Sequence, residues 1–189
     1  MEKYDKVAIL CYLKKDNQLL FLLNKDNLVF NQNKTNKYTY FEGLRNENEF
    51  KPQNTAIRIF YENTFNSFYS LTEIEQYFNE IIPFYNQKYQ LYLYCININI
   101  PNEKIKLYNK IKSYIKCTFE LKNGIVKDTL IFGKIPNNIP ELNFEEDLKW
   151  YSISDILDRK NTDIFKREFF SCLIMLLRDT DFVFDQTIV

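Results

Sequence analysis

Residues 90–100 constrain the fold of this chain more than any other segment. They read Gln-Leu-Tyr-Leu-Tyr-Cys-Ile-Asn-Ile-Asn-Ile, a nearly continuous run of apolar and aromatic side chains. A strand that is apolar on both faces is typical of the interior of a sheet whose two faces are both covered. The run therefore predicts a central strand.

Other segments predict the elements around this strand. Residues 7–12 and 19–23 are predicted to form a hairpin around a polar turn at 14–17, and residues 38–41 form a strand that leads to Gly43. The helices are predicted at residues 54–64 (after Pro52), 70–82 (opened by a Ser70–Glu73 capping box), 101–116 and 162–178. A second hairpin is predicted at 117–122 and 125–135 around Asn123-Gly124, and a short strand at 148–152.

Length and composition limit the classes of function. The chain has 189 residues and 46% hydrophobic residues, which suits one domain over residues 1–189. Its 25 basic and 25 acidic residues balance, so net charge does not direct it to nucleic acid or membrane. No histidine occurs, which excludes Ser-His-Asp and Cys-His catalysis and histidine-bound zinc.

The compartment and the cysteines follow from simple patterns. No apolar run approaches the roughly 20 residues of a membrane helix, and the first residues lack the apolar core of a signal peptide. We therefore expect an intracellular protein, cytoplasmic by default, with no membrane partner. The four cysteines contain no C-x-x-C pair and are predicted to be structural thiols.

Two segments together resemble the Nudix family. Residues 41–49 followed by 55–65 are similar to the Nudix box, G-x5-E-x7-R-E-U-x-E-E-x-G-U, where U is bulky and aliphatic. Residues 148–157, Leu-Lys-Trp-Tyr-Ser-Ile-Ser-Asp-Ile-Leu, are similar to a strand and turn late in many Nudix domains. The resemblance spans residues 5–178. It implies an α/β fold, a Nudix-like α/β/α sandwich with a mixed sheet between helices, with an inserted helix at 102–115 and an inserted hairpin.

The box has a chemical purpose in that family. Cleavage of a pyrophosphate needs Mg²⁺ or Mn²⁺, and such hard cations require several carboxylate oxygens held together. Gly43 fits the opening glycine, Glu49 the loop glutamate and Arg58 the box arginine, with one extra residue between the last two. Phe60 fits a bulky position and Glu62 the first glutamate of the pair. The resemblance implies that Arg58 anchors the loop through Glu49.

Three positions depart from the pattern. Ile59 replaces the glutamate after the arginine, Asn63 replaces the second glutamate of the pair, and Phe65 replaces the later glycine. Two of three metal carboxylates are missing, which leaves Glu62 as the candidate metal ligand. Because ligand charge sets hard-cation affinity, we expect Glu62, Arg58 and Glu49 to be the remnant of an inactive catalytic site.

Two functions remain open. The first is a non-catalytic Nudix-fold protein without a cofactor, which binds a nucleotide, RNA or protein partner as a subunit of a larger assembly. The second is a divergent Nudix pyrophosphohydrolase that uses Mg²⁺ or Mn²⁺ on nucleoside diphosphate-linked substrates such as mRNA caps. The acidic residues 145–147 are either a late source of a metal carboxylate or a solvated loop.

Surface contacts can also be predicted. The lysines of residues 104–116 do not share one helical face, so we expect a solvated helix, with a contact to RNA or phosphate as the alternative. The 14 tyrosines and 17 phenylalanines are expected to form an exposed aromatic patch for a protein partner. Its expected carriers are residues 38–41, Tyr108 and Tyr114, and residues 182–184.

Overall fold

Seven strands form one mixed sheet in the part of the chain that this computed structural model describes, residues 4–26, 35–121 and 146–178. The strands are β1 (Lys6–Lys15), β2 (Gln18–Asp26), β3 (Lys37–Thr39), β4 (Phe41–Leu44), β5 (Phe84–Asn86), β6 (Leu91–Asn97) and β7 (Leu148–Ser152). The helices are α1 (Pro52–Asn63), α2 (Leu71–Phe78), α3 (Asn102–Leu121), α4 (Ile153–Leu157) and α5 (Arg167–Arg178), with a 3₁₀ turn at Arg159–Ile164.

The sheet is built around β1. The strand order in the sheet is β3-β2-β1-β6-β5. In addition, β4 pairs with β1 and β7 pairs with β2. The β1–β6 pair is parallel, and the other pairs are antiparallel. The strand β6 lies between β1 and β5, so the prediction of an interior strand within residues 90–100 is confirmed.

Side chains of β1 alternate between two cores. Val7, Ile9 and Cys11 face a core that also contains buried residues of α1, α2 and α3. Ala8 and Leu10 face a second core that contains residues of α4 and α5. Helices therefore cover both faces of the sheet, and the fold is an α/β/α sandwich with a mixed sheet between helices.

Local sequence explains several element ends. Asp16 and Asn17 have φ angles of 49° and 60°, and the β1–β2 pairing continues up to them. Two consecutive positive φ angles are those of a type I′ turn, which asparagine and aspartate tolerate. At α2, the Ser70 amide donates to Glu73 Oε2 at 2.7 Å and the Glu73 amide donates to Ser70 Oγ at 3.4 Å, so the predicted capping box is confirmed.

Helix α3 corrects the prediction of a hairpin after it. Residues 117–121 are helical, so the strand predicted at 117–122 is wrong up to Leu121. Adding a residue to an existing helix avoids the cost of nucleation, and this outweighs the strand-like composition of Cys-Thr-Phe. The remainder of that hairpin lies outside the described residues.

The last helix begins later than predicted. The prediction placed its start at residue 162, whereas α5 starts at Arg167. The preceding residue, Lys166, donates its backbone N–H to the Tyr38 carbonyl at 2.9 Å, and Phe165 forms a β-bridge with Tyr38. This pairing with β3 holds the chain extended and delays the helix.

Burial corrects two surface predictions. Tyr40, Phe41 and Tyr108 are each 1% exposed, so they belong to the cores and cannot carry the expected aromatic patch. Lys112 is also fully buried, against the expectation that the lysines of α3 are solvated. Residues 182–184 lie outside the described residues.

Three of the four cysteines lie in the cores. Cys11, Cys95 and Cys172 are buried and free, as predicted for structural thiols. Burial raises the pKa of all three thiols, which disfavours their reactive thiolate form. Within the described ranges, no helix has the length and apolar character to cross a membrane.

Candidate functional site

Arg58 lies at the centre of the candidate site, on the exposed side of α1. Its Nε donates to Glu49 Oε1 at 2.5 Å and its NH2 nitrogen donates to Glu49 Oε2 at 3.0 Å. The NH2 nitrogen also donates to the Leu44 carbonyl at 2.8 Å, and the NH1 nitrogen donates to Glu62 Oε2 at 2.9 Å. The contact predicted between Glu49 and Arg58 is therefore present, and it is bidentate.

Glu49 is the acceptor that organises the loop before α1. Besides Arg58, its Oε2 accepts from the Asn46 backbone N–H at 3.0 Å and from the Thr55 hydroxyl at 2.8 Å. The Tyr4 hydroxyl lies 3.1 Å from that of Thr55 and extends the network to the chain's first described residue. The hydrogen bonds from Arg58 lower the pKa of the Glu49 carboxyl to about 2. The loop thus accommodates the extra residue between Glu49 and Arg58, and the ion pair between these two residues still forms.

Ile59 has a structural role that a carboxylate could not take. It is 1% exposed and lies in the core on the α1 face of the sheet. A Cβ added to Gly43 would lie 2.9 Å from Ile59 Cγ1, so the two residues meet with no space between them. Gly43 is therefore required for close approach of β4 to α1. Ile59, which the sequence resemblance aligns with a metal ligand of the Nudix box, is thus a packing residue in this structure.

Glu62 and Asn63 lie at the C-terminal end of α1. The Glu62 side chain is 36% exposed, and its Oε2 accepts a hydrogen bond from Arg58. The Asn63 amide nitrogen donates to the Glu42 carbonyl at 3.2 Å, so that side chain ties α1 to β4. Glu62 is the one acidic residue of α1, so no second carboxylate of this helix lies beside it.

Phe65 stands where the Nudix pattern has a glycine. Its φ angle is 52°, a left-handed conformation that glycine adopts freely and a phenylalanine rarely does. Its ring centroid lies 5.1 Å from that of Tyr108 on α3. The backbone at residue 65 therefore has a conformation that suits glycine, while the side chain packs against α3.

The residues present do not fit the divalent cation that the family's chemistry requires. Mg²⁺ and Mn²⁺ take several hard oxygen ligands, and net negative charge raises their affinity. On α1 the available carboxylate is Glu62, and it shares the single positive charge of Arg58 with Glu49. Among the described residues, no group of three or more acidic, cysteine or histidine side chains is placed to hold a metal.

The second resembling segment, residues 148–157, lies apart from the first. It forms β7 and α4, which a second capping box joins: the Asp155 amide donates to Ser152 Oγ at 3.1 Å. Ile156 is buried in the core on the opposite face from α1, and Trp150 packs against the α1-side core. The structure therefore does not bring this segment's acidic residue to Arg58.

The acidic residues at 146–147 have separate environments. Asp147 is 0% exposed and pairs with Lys116 of α3 at 2.5 Å, so for this residue the solvated-loop interpretation is wrong. The position of the Asp147 carboxylate is set by its ion pair with Lys116 and not by a contact with Glu62. Glu146 is exposed, and its carbonyl accepts from the Tyr38 hydroxyl at 2.6 Å.

Sequence reasoning missed an ionic cluster on the α5 side of the sheet. Glu42 of β4 contacts Lys6 at 2.5 Å and Lys166 at 2.6 Å. Lys6 also contacts Glu168 at 3.0 Å, and Lys166 contacts Asp26 at 3.1 Å. The members are distant in sequence, so no local spacing signals the cluster. It joins β1, β2, β4 and the start of α5.

We expect Arg58→Ala to lower the free energy of unfolding by about 1–2 kcal/mol at pH 7, since it removes charge-assisted, partly buried hydrogen bonds. The Glu49 pKa lies below its ordinary value of 4.5, so the pair stabilises the fold above pH 4.5 and this contribution is lost as pH falls towards 2. Chemical denaturation of both proteins from pH 2 to 7 measures the difference. A difference that is zero at pH 7 contradicts the prediction.

Comparisons with known proteins give little beyond this geometry. No model of a known protein family matches the chain, and no curated protein matches its sequence. One solved structure is similar, described as a mutT/nudix family protein from Listeria innocua. It is 13% identical with a TM-score of 0.46, and the match covers 93% of this chain and 94% of that one. A likeness of this degree assigns no role to any residue of the present chain.

Proposed function

We propose that this protein is a non-catalytic member of the Nudix superfamily, which binds or supports a nucleotide, RNA or protein partner within a larger assembly. The observation that carries the proposal is the state of α1. The anchor of the box, Glu49 with Arg58, is retained, while the positions that would hold a metal are occupied by Ile59 and Asn63.

The contacts of these two replacements support a structural use of the box. Ile59 fills the space against Gly43, and the Asn63 amide donates to the backbone of β4. Asn63 uses its N–H₂ for this contact, and its Oδ1 is a neutral oxygen that adds no negative charge to a cation site. The amide assignment follows from that acceptor, since only the nitrogen can donate. The box now joins loop, helix and sheet.

A divergent hydrolase is the second candidate. The observation in its favour is that Glu62 is 36% exposed, the most exposed carboxylate or guanidinium of the Glu49–Arg58–Glu62 group. In that case Mn²⁺ or Mg²⁺ would be recruited jointly by Glu62 and the phosphates of a nucleoside diphosphate-linked substrate. Because Arg58 binds Oε2 of Glu62, the cation would take Oε1 or compete with Arg58 for Oε2.

We expect no hydrolysis of capped RNA, ADP-ribose or dinucleoside polyphosphates with Mg²⁺ or Mn²⁺, because a single carboxylate that is already paired with an arginine binds such cations weakly. Product release is measured by chromatography, with Glu62→Gln as the matched variant. Turnover in the presence of Mn²⁺ that is lost in Glu62→Gln, with an unchanged melting temperature, would establish the second candidate.

Metal binding can be tested without an assay of activity. A cation that binds the native state raises the melting temperature by mass action. We expect Mn²⁺ to leave the melting temperature of the natural protein unchanged. The variant Asn63→Glu places a second carboxylate beside Glu62 and serves as the positive comparison. A rise in the natural protein equal to that in the variant contradicts the proposal.

The partner is tested by recovering the protein from its own cells. The mass of the recovered complex is measured before and after nuclease treatment. A partner that is lost after the treatment is RNA, and one that remains is protein. The proposal expects a stoichiometric companion of one kind, and a monomer that carries neither contradicts it.

A further inference from the structure

Lys112 is a lysine with no access to solvent. It lies on α3, and its side chain is 0% exposed between the helix and the sheet. Its Nζ donates to Asn24 Oδ1 at 2.7 Å and to the Lys25 carbonyl at 2.5 Å. Within the described ranges these two oxygens are its hydrogen-bond acceptors, and its Nζ also lies 5.8 Å from the centre of the Tyr108 ring. A neutral amine has two N–H groups for the two oxygens, whereas an ammonium has three.

The hydrogen bonds that meet at Asn24 bind α3 to β2. The Tyr108 hydroxyl, one helical turn before Lys112, donates to the same Asn24 Oδ1 at 2.8 Å. Burial raises the pKa of Tyr108 well above its usual range, so that hydroxyl keeps its proton. From β3, Thr39 pairs with Asn24 and adds a buried but uncharged hydroxyl. The immediate contacts of Lys112 are thus neutral.

Charged groups lie around this neutral shell. On α3 itself Lys116 disfavours a charge on Lys112, and so does Lys25 on β2. Asp26 on β2 and Asp147 before β7 favour it, but Asp147 is paired with Lys116 at 2.5 Å. Burial is the largest influence and disfavours the ammonium, because a charge loses its hydration there.

We propose that α3 is a pH-sensitive element of this fold: Lys112 is a neutral amine when the helix is docked on the sheet, and its protonation weakens that docking. The inference does not depend on the metal-binding state of α1. The hydrogen bonds of Tyr108 and Lys112 hold the middle of α3 against β2. A charge on Lys112 therefore acts where the helix meets β2.

The direction with pH follows from the two states. Burial lowers the pKa of Lys112 to about 7, against 10.5 for an exposed lysine. Between these values the unfolded chain holds one proton more than the folded protein, so stability rises as pH rises through the window. Below pH 7 both states are protonated, and the added stability is absent.

Chemical denaturation at pH 7.5, 8.5 and 9.5 tests the proposal with three proteins: natural, Lys112→Met and Lys106→Met. Lys106 is an exposed lysine of the same helix and is the matched control. Relative to Lys112→Met, the unfolding equilibrium constant of the natural protein is expected to fall about tenfold for each pH unit. Lys106→Met should follow the natural protein. Equal slopes for all three overturn the proposal.

Two measurements on the natural chain keep the proposal testable if Lys112→Met does not fold. Carbon-13 NMR of the lysine Cε groups should show one lysine that titrates near pH 7, and titration of every lysine above pH 9 overturns the inference. Hydrogen exchange, corrected for intrinsic rates, should show weaker protection of α3 amides at pH 6 than at pH 8.5, with α1 as the internal control. Equal changes in α1 and α3 also overturn it.

Discussion

Phe60→Ala is expected to lower the free energy of unfolding by about 3–5 kcal/mol, the range for removing a large aromatic side chain from a packed core. Phe60 is 1% exposed and lies in the C-terminal half of α1. Its ring centroid lies 5.6 Å from that of Phe41 on β4, 6.2 Å from that of Phe78 on α2 and 6.3 Å from that of Phe68. The substitution therefore removes the contact that joins α1, α2 and the sheet.

The matched control for this prediction is Phe50→Ala. Phe50 lies on the loop before α1 and is 67% exposed, so the same chemical change there should cost less than about 0.5 kcal/mol. Urea denaturation at pH 7 compares the two variants. A similar loss in both would mean that α1 is not packed on the sheet as described.

Glu42→Gln is expected to lower the free energy of unfolding by about 2–4 kcal/mol, because it leaves two lysines without their shared carboxylate. The side chain of Glu42 is 14% exposed, and those of Lys6 and Lys166 are 21% and 23% exposed. Some solvent therefore reaches the cluster, and we place the cost below that of a fully buried pair. Glutamine keeps the shape of the side chain, so the measured loss reports the charge.

Glu47→Gln, an exposed change of the same kind on the following loop, is the control. It should change stability by less than about 0.5 kcal/mol. Thermal and urea denaturation at two salt concentrations measure both variants, since exposed pairs are screened more than partly buried ones. If Glu42→Gln behaves as Glu47→Gln does, the cluster contributes no net stability.

Elements marked by local chemistry were predictable from the sequence. Pro52 marked the start of α1, the Ser70–Glu73 capping box marked α2, and the apolar run at 90–100 marked β6. Each signal lies within a few residues of the element it defines. The pairing of Glu49 with Arg58 was expected from the resemblance to the Nudix box, although the spacing between them is one residue longer than in that pattern.

Elements set by distant contacts were not predictable. The strand β5 has three residues and is held by pairing with β6, so its own sequence carries no strand pattern. The first residue of α5 depends on a bridge between Phe165 and Tyr38. The lysine-rich sequence of α3 gives no sign that Lys112 is buried, because its acceptors, Asn24 and Lys25, lie on β2.

The parallel pairing of β1 with β6 has a consequence for how the chain folds. It joins residues 6–12 to residues 91–97, so the middle of the sheet cannot close until residues 91–97 have left the ribosome. Contacts between such remote positions raise the contact order, and they slow folding because loop entropy is lost before the contacts form. The hairpin β1–β2 can form early, but the side of β1 that β6 covers stays open until later synthesis. During that interval the nascent chain exposes an apolar strand edge to aggregation and to chaperones.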